Sequence, residues 1–198
     1  MREDKFCQSL SGVRVPCITV TSQIQNLKPE QGAPMPINQS EFLSDERMPV
    51  YQNKKYIIVC ARVHPGESNA SHIMHGFLDF ITGPSEEAAN LRRKHIFKIL
   101  PMTNPDGVIV GNYRTGLAGN DLNRRFSSPN PKLHPIVVAI KKMLSDINKR
   151  ATEQYPICSF VDIHGHSRKK SVFMYGPDYA LHSSKYFKMR ILPKLLDE

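Results

Sequence analysis

A chain of 198 residues, 40% apolar and 23% charged, has room for one globular domain with a substantial core. No apolar run approaches the roughly 20 residues that cross a bilayer, and the start, Met1-Arg2-Glu3-Asp4-Lys5, lacks the apolar centre of a secretory signal. The formal charge of +9 favours acidic partners, but the basic residues are scattered, Trp is absent and no nucleic-acid motif accompanies the short clusters at Arg92-Arg93-Lys94 and Arg168-Lys169-Lys170, so neither membrane nor nucleic acid is an expected partner.

In chain order, Val13 to Val20 (VRVPCITV) reads as a strand, with Pro16 at an edge or bulge. Residues 26–53 turn polar and carry Pro29, Pro34, Pro36 and Pro49, which predicts a long loop. Tyr56 to Val63 (YIIVCARV) is a buried strand ending at His64. From Glu67 a helical period sets in, with Ile73, Phe77 and Ile81 on one face and Met74 and Leu78 beside them; Gly83-Pro84 stops it. Ser85 caps a short helix through Arg92, and His95 to Leu100 is again a strand. The next stretch is rich in turns, Asn104-Pro105-Asp106-Gly107 with Gly111, Gly116 and Gly119; it embeds Arg114, Asn123 and Arg124 and fits a functional loop. Ile136, Ile140, Met143, Leu144 and Ile147 mark an amphipathic helix ending near Lys149-Arg150. Ile157 to Ile163 is a strand, Val172 to Tyr175 a further one, and Tyr179 to Leu196 a helix. This alternation predicts an α/β fold: a mixed, mostly parallel sheet with helices on both faces, whose ligands gather beyond the carboxyl ends of the strands. Cys7, Cys17, Cys60 and Cys158 show neither C-x-x-C spacing nor disulfide-scaffold density, which suits a reducing, intracellular compartment.

His64 and His164 each stand at the carboxyl end of a predicted strand, and Pro65-Gly66 bends the chain so that Glu67 can turn back towards His64. Two imidazoles and a carboxylate suit Zn²⁺ and leave a fourth position open to water, as a hydrolytic site requires. An H-x-x-E pair alone is common, and a first-turn glutamate is also favoured by the helix dipole. His166 competes with His164 for the third place. Asp162 points the same way as His164 and either buttresses a ligand or simply ends the strand. The remaining histidines, His72, His75, His95, His134 and His182, fit surface or packing roles. Arg114, Asn123 and Arg124 carry the groups that clamp a carboxylate or stabilise an oxyanion.

HPGES, NPDGVIVGNYR, DLNR and DIHGHSRKKSVFMYG, in that order over roughly residues 7 to 198, resemble the zinc metallocarboxypeptidases, in particular their cytosolic carboxypeptidase branch. The resemblance implies that His64, Glu67 and His164 hold zinc, that Asn123 and Arg124 bind the substrate's terminal carboxylate, and that Arg114 polarises the scissile carbonyl. It further implies glutamate-rich protein C-termini, tubulin among them, as substrates, and a cytosolic, microtubule-associated location. Two departures stand out. The branch carries a β-sandwich domain ahead of the catalytic one, and its general-base glutamate, on a later strand, has no counterpart here, Glu198 coming after a helical stretch. The expectation is a partial catalytic domain over 1–198, incomplete on its C-terminal side and inactive. The alternatives are an N-acyl amino acid amidohydrolase with a similar ligand set, and a non-catalytic module for acidic tails.

Overall fold

The computed structural model describes residues 1–22, 54–150 and 156–197, so the loop expected over 26–53 lies outside the described residues. Strand β3, Lys55–Ala61, is apolar on both sides because both sides are covered. Tyr56, Ile58 and Cys60 enter one core and Val59 and Ala61 the other. Around it lie β1 (Arg2–Gln8), β2 (Arg14–Val20), β4 (His95–Leu100) and β5 (Ile157–Ile163), in the order β1-β2-β4-β3-β5. β3 runs parallel to both β4 and β5, whereas β2 is antiparallel to β4 and to β1. The sheet is therefore mixed, with a parallel three-stranded half and an antiparallel hairpin at one edge.

Helices α1 (Ser68–Thr82) and α4 (Pro135–Arg150) cover opposite faces. α1 packs Ala70, Met74 and Ile81 against Val59, Phe97 and Ile99, with Phe77 and Leu78 beside them. The apolar face differs from expectation at Ile73, which is 51% exposed. α4 seats Ile136, Ala139, Ile140, Met143 and Ile147 on Tyr56, Ile58, Ile96 and Leu100. Burying each large aliphatic side chain contributes about 1.5–3 kcal/mol relative to exposure, which makes α4 a main anchor of that core. Between α1 and β4, α2 (Glu86–Lys94) is capped by Ser85, whose hydroxyl accepts from Ala88 N, and carries acidic residues in its first turn and basic ones in its last. No helix among the described residues is long and apolar enough to cross a membrane.

Four elements depart from the sequence reading. β1 is new: its polar residues mask an alternation in which Asp4 and Phe6 are buried. β3 ends at Ala61 rather than running to Val63, because Arg62 adopts a left-handed backbone (φ 60°) that breaks the ladder. Residues 172–175 form no strand; Phe173 and Tyr175 instead flank the His166 ring at 5.2 and 6.4 Å, with the Lys169 ammonium 4.9 Å from Phe173. These last residues belong to a second unit, His166–Glu198, distinct from Met1–Gly165. Its helix, α5 (Ser184–Asp197), starts later than the expected Tyr179.

Cys7, Cys17 and Cys60 are buried and Cys158 is exposed. Burial pushes the Cys17 thiol up to about 12 and raises Cys7 and Cys60 as well. The folded chain should therefore yield one reactive thiol to a disulfide-exchange reagent at mildly alkaline pH, and all four in denaturant; a full native titre would contradict the buried placement.

Candidate metal centre

Ala61 on β3 pairs with Ile163 on β5, so the chain leaves both strands at the same end of the sheet, side by side. On the β3 side, Arg62 turns out of the strand and its guanidinium fixes the bend, donating from Nε to Pro65 O (2.8 Å) and from Nη1 to Ser71 Oγ of α1 (2.6 Å). Glu67 N then donates to His64 O at 3.2 Å and closes the turn. Gly66 has to be glycine here, since a Cβ would lie 2.5 Å from the Tyr113 ring and 2.7 Å from Tyr113 O.

The turn-rich segment locks onto this bend. Asn104 donates to Val63 O (3.0 Å) and caps the one-turn helix α3 (Pro105–Ile109), its Oδ1 accepting from Gly107 N at 3.1 Å. A side chain on Gly107 would collide with Pro65 Cγ. Asp106, buried, accepts from the hydroxyls of Ser9 and Ser11, each at 2.5 Å, and so ties the loop to the β1–β2 turn.

The result brings His64, Glu67 and His164 together. Their donor atoms all lie within 4.8 Å of one another. His64 Nδ1 is 2.8 Å from one Glu67 oxygen, His164 Nδ1 is 3.1 Å from the other, and the two Nδ1 atoms are 3.2 Å apart. Zinc bonds of about 2.0–2.1 Å in tetrahedral geometry set donors about 3.3 Å apart. The spacing and chemistry of this set fit that ion. Glu67 is further steadied by Gly165 N, which donates to its Oε2 at 2.7 Å. His164, not His166, completes the cluster; His166 accepts from the backbone N–H groups of Arg168 and Lys169.

Each imidazole has a carboxylate on its far nitrogen. Asp162 Oδ2 lies 2.9 Å from His164 Nε2, and Asp121 Oδ1 lies 3.1 Å from His64 Nε2. The hydrogen bond that His164 donates to Asp162 raises the His164 pKa against the opposing effect of burial. Burial would raise Asp121, but the bond from His64 and the charge of Arg114 carry it below the usual carboxylate range. Asp121 is the residue the sequence reading missed. Its signal was an aspartate two positions before Asn123, whose N–H it accepts at 2.9 Å, capping the short turn Leu122–Arg124. Arg114 donates to Asp121 Oδ2 from Nε at 2.9 Å and lies 2.8 Å from it through Nη2. Asn123 Nδ2 stands 3.4 Å from His164 Nε2, and Arg124 is exposed on the same turn. Arg114, Asn123 and Arg124 thus come from one loop that meets the histidine–glutamate cluster through Asp121 and Asn123.

The sequence profile of the zinc carboxypeptidases matches residues 4–188. Cytosolic carboxypeptidase 1 of Danio rerio is 44% identical over 175 residues, 88% of this chain and 14% of that protein. Cytosolic carboxypeptidase 3 of Bos taurus is 40% identical over 195 residues, covering 98% of this chain and 17% of its own length. Among solved structures, a metallo-carboxypeptidase from Burkholderia cenocepacia aligns over 83% of this chain and 36% of its own, at 27% identity and a TM-score of 0.60. The chain therefore spans about a seventh of the length of the first of these relatives.

Proposed function

Because the chain belongs to the zinc carboxypeptidase family, we propose that it is a metallocarboxypeptidase-type domain in which His64, Glu67 and His164 hold zinc and the adjoining loop receives the C-terminus of a peptide. The observation that carries this reading is the convergence of two Nδ1 atoms and both Glu67 oxygens at separations of 2.8–3.2 Å. When bound, zinc supplies the Lewis acid that lowers the barrier to hydrolysing a peptide bond. The chain's own residues supply recognition. Asn123 and Arg124 pair with the terminal carboxylate, an amide and a guanidinium being matched to its two oxygens. Arg114, anchored through Nε and Nη2 on Asp121, keeps its remaining N–H groups for the scissile carbonyl oxygen.

The substrates proposed are glutamate-rich protein C-termini, such as polyglutamylated tubulin tails in the cytosol. The +9 charge supports this by attracting acidic chains, and relatives named cytosolic carboxypeptidases support the compartment. Within these 198 residues turnover is proposed to be crippled. The carboxylates gathered at the cluster, Glu67, Asp121 and Asp162, are each engaged by an imidazole, which leaves the general-base role unfilled among them. A general base is worth about 10²- to 10⁴-fold in rate. The test is elemental analysis of the purified chain together with glutamate release from a polyglutamylated peptide, run beside a panel of acyl amino acids. One zinc per chain with little or no release is expected. A folded, metal-replete sample without zinc defeats the site; brisk release from the peptide defeats the inactivity; turnover of acyl amino acids instead defeats the peptidase reading.

A further inference from the structure

We infer that Asp162 is a positioning residue that fixes His164 in the tautomer presenting Nδ1 to the metal, an inference that rests on the zinc reading above. Asp162 lies at the carboxyl end of β5, opposite Cys60, on the α4 side of the sheet. A carboxylate that merely finished a strand would be expected to take up backbone N–H groups. This one does not. In its one hydrogen bond among the described residues, Oδ2 accepts from His164 Nε2 at 2.9 Å, while Oδ1 is buried without a hydrogen-bond partner. The surrounding recess is mostly apolar, lined by Cys60, Val63, Thr103, Phe126 and Phe160. Holding a carboxylate there is unfavourable, and what it gains is control of one ring nitrogen.

That nitrogen has two neighbours of opposite character. Asp162 can only accept, so a bond to it puts the proton on Nε2 and leaves the Nδ1 lone pair facing Glu67 and His64. Asn123 Nδ2, 3.4 Å away, can only donate. Were Asn123 to bond instead, the Nε2 lone pair would be consumed and the neutral ring would carry its proton on Nδ1, where it blocks metal. Asp162 decides this competition, and in doing so leaves the Asn123 amide free for substrate. The pairing mirrors Asp121 on His64 Nε2 but reaches the ligand along its own strand rather than from a loop.

The test measures zinc affinity by chelator competition on the full metal-free chain and on Asp162→Ala, Asp162→Leu, Asp162→Glu and the double variant Asp162→Ala/Asn123→Ala. Asp162→Ala should bind zinc about 10- to 100-fold more weakly while its metal-free melting temperature stays at the parent's. Asp162→Glu should restore binding, and removing Asn123 in the alanine background should recover part of the loss, which a purely structural role would not produce. Parental affinity in Asp162→Ala overturns the inference; an equal deficit with and without Asn123 overturns the tautomer account. If Asp162→Ala fails to fold, Asp162→Leu, which likewise offers no acceptor, decides in the same way, weaker zinc supporting and parental zinc opposing. A parent chain that binds no zinc brings down the metal-site reading itself, whereas a parent that binds and variants that match it bring down Asp162 alone.

Discussion

Glu67→Gln and His164→Ala are each expected to abolish stoichiometric zinc in the purified chain. Among the described residues the centre has three protein donors, and Glu67 is the one formal negative charge in that set. Glutamine keeps the length of the side chain and an oxygen to accept from Gly165 N, but it offers a neutral oxygen where two imidazoles already provide no charge. Alanine at 164 leaves a two-ligand site. Both losses should exceed the roughly 10- to 100-fold effect of disturbing a residue behind a ligand. The fold should survive, because the two principal apolar clusters are built from β1–β4, α1 and α4 and include none of the three residues. A ligand present at about 1,000 times its dissociation constant stabilises a protein by about 4 kcal/mol. The parent should therefore melt higher with zinc than without it, and the variants should melt at one temperature in both conditions. Elemental analysis after dialysis and paired melting curves measure this. A variant that keeps one zinc per chain and a zinc-dependent melting shift would remove these residues from the site.

Much of this centre was legible in the sequence because its ingredients are local. A buried apolar run followed by His-Pro-Gly-Glu announces a strand that ends in a bend, and the motif carries two donors within four positions. His164 could be favoured over His166 because it directly follows the run Ile157 to Ile163, and the structure places it there. What could not be read was long-range or polar. Asp121 matters only because folding brings it 57 positions back to His64. β1 escaped notice since REDKFCQ looks like a solvated start, and only the placement of Lys98 across the sheet makes a buried Asp4 intelligible. The strand expected over Val172 to Tyr175 shows the reverse error. Its aromatic alternation satisfies a strand pattern, yet the rings are spent on His166 and Lys169.

The buried Asp4–Lys98 pair carries the largest expected effect on stability. Asp4 is 3% and Lys98 0% exposed at the side chain, and Nζ lies 3.3 Å from Asp4 Oδ2. Thr19 joins them, accepting from Lys98 at 2.8 Å and donating to Asp4 at 2.6 Å, while Arg2 lies 2.6 Å from the other carboxylate oxygen. The three residues come from adjacent strands, β1, β2 and β4, so the network also holds the hairpin edge in register with the parallel half of the sheet. Asp4→Ala takes the Asp4 carboxylate away from a buried ammonium, a change that costs about 3–5 kcal/mol. Against a total stability of about 5–15 kcal/mol for a typical domain, that would leave a large unfolded fraction. Replacing both partners with apolar residues of similar size, Asp4→Leu with Lys98→Met, should recover most of the loss, because it removes the buried ammonium together with the Asp4 carboxylate. Urea unfolding of the zinc-free protein separates these outcomes from any effect at the metal centre. If Asp4→Ala unfolds at the parental midpoint, the pair does not brace the sheet; if the double variant is as weak as the single, the network is needed for its hydrogen bonds and register rather than for charge balance.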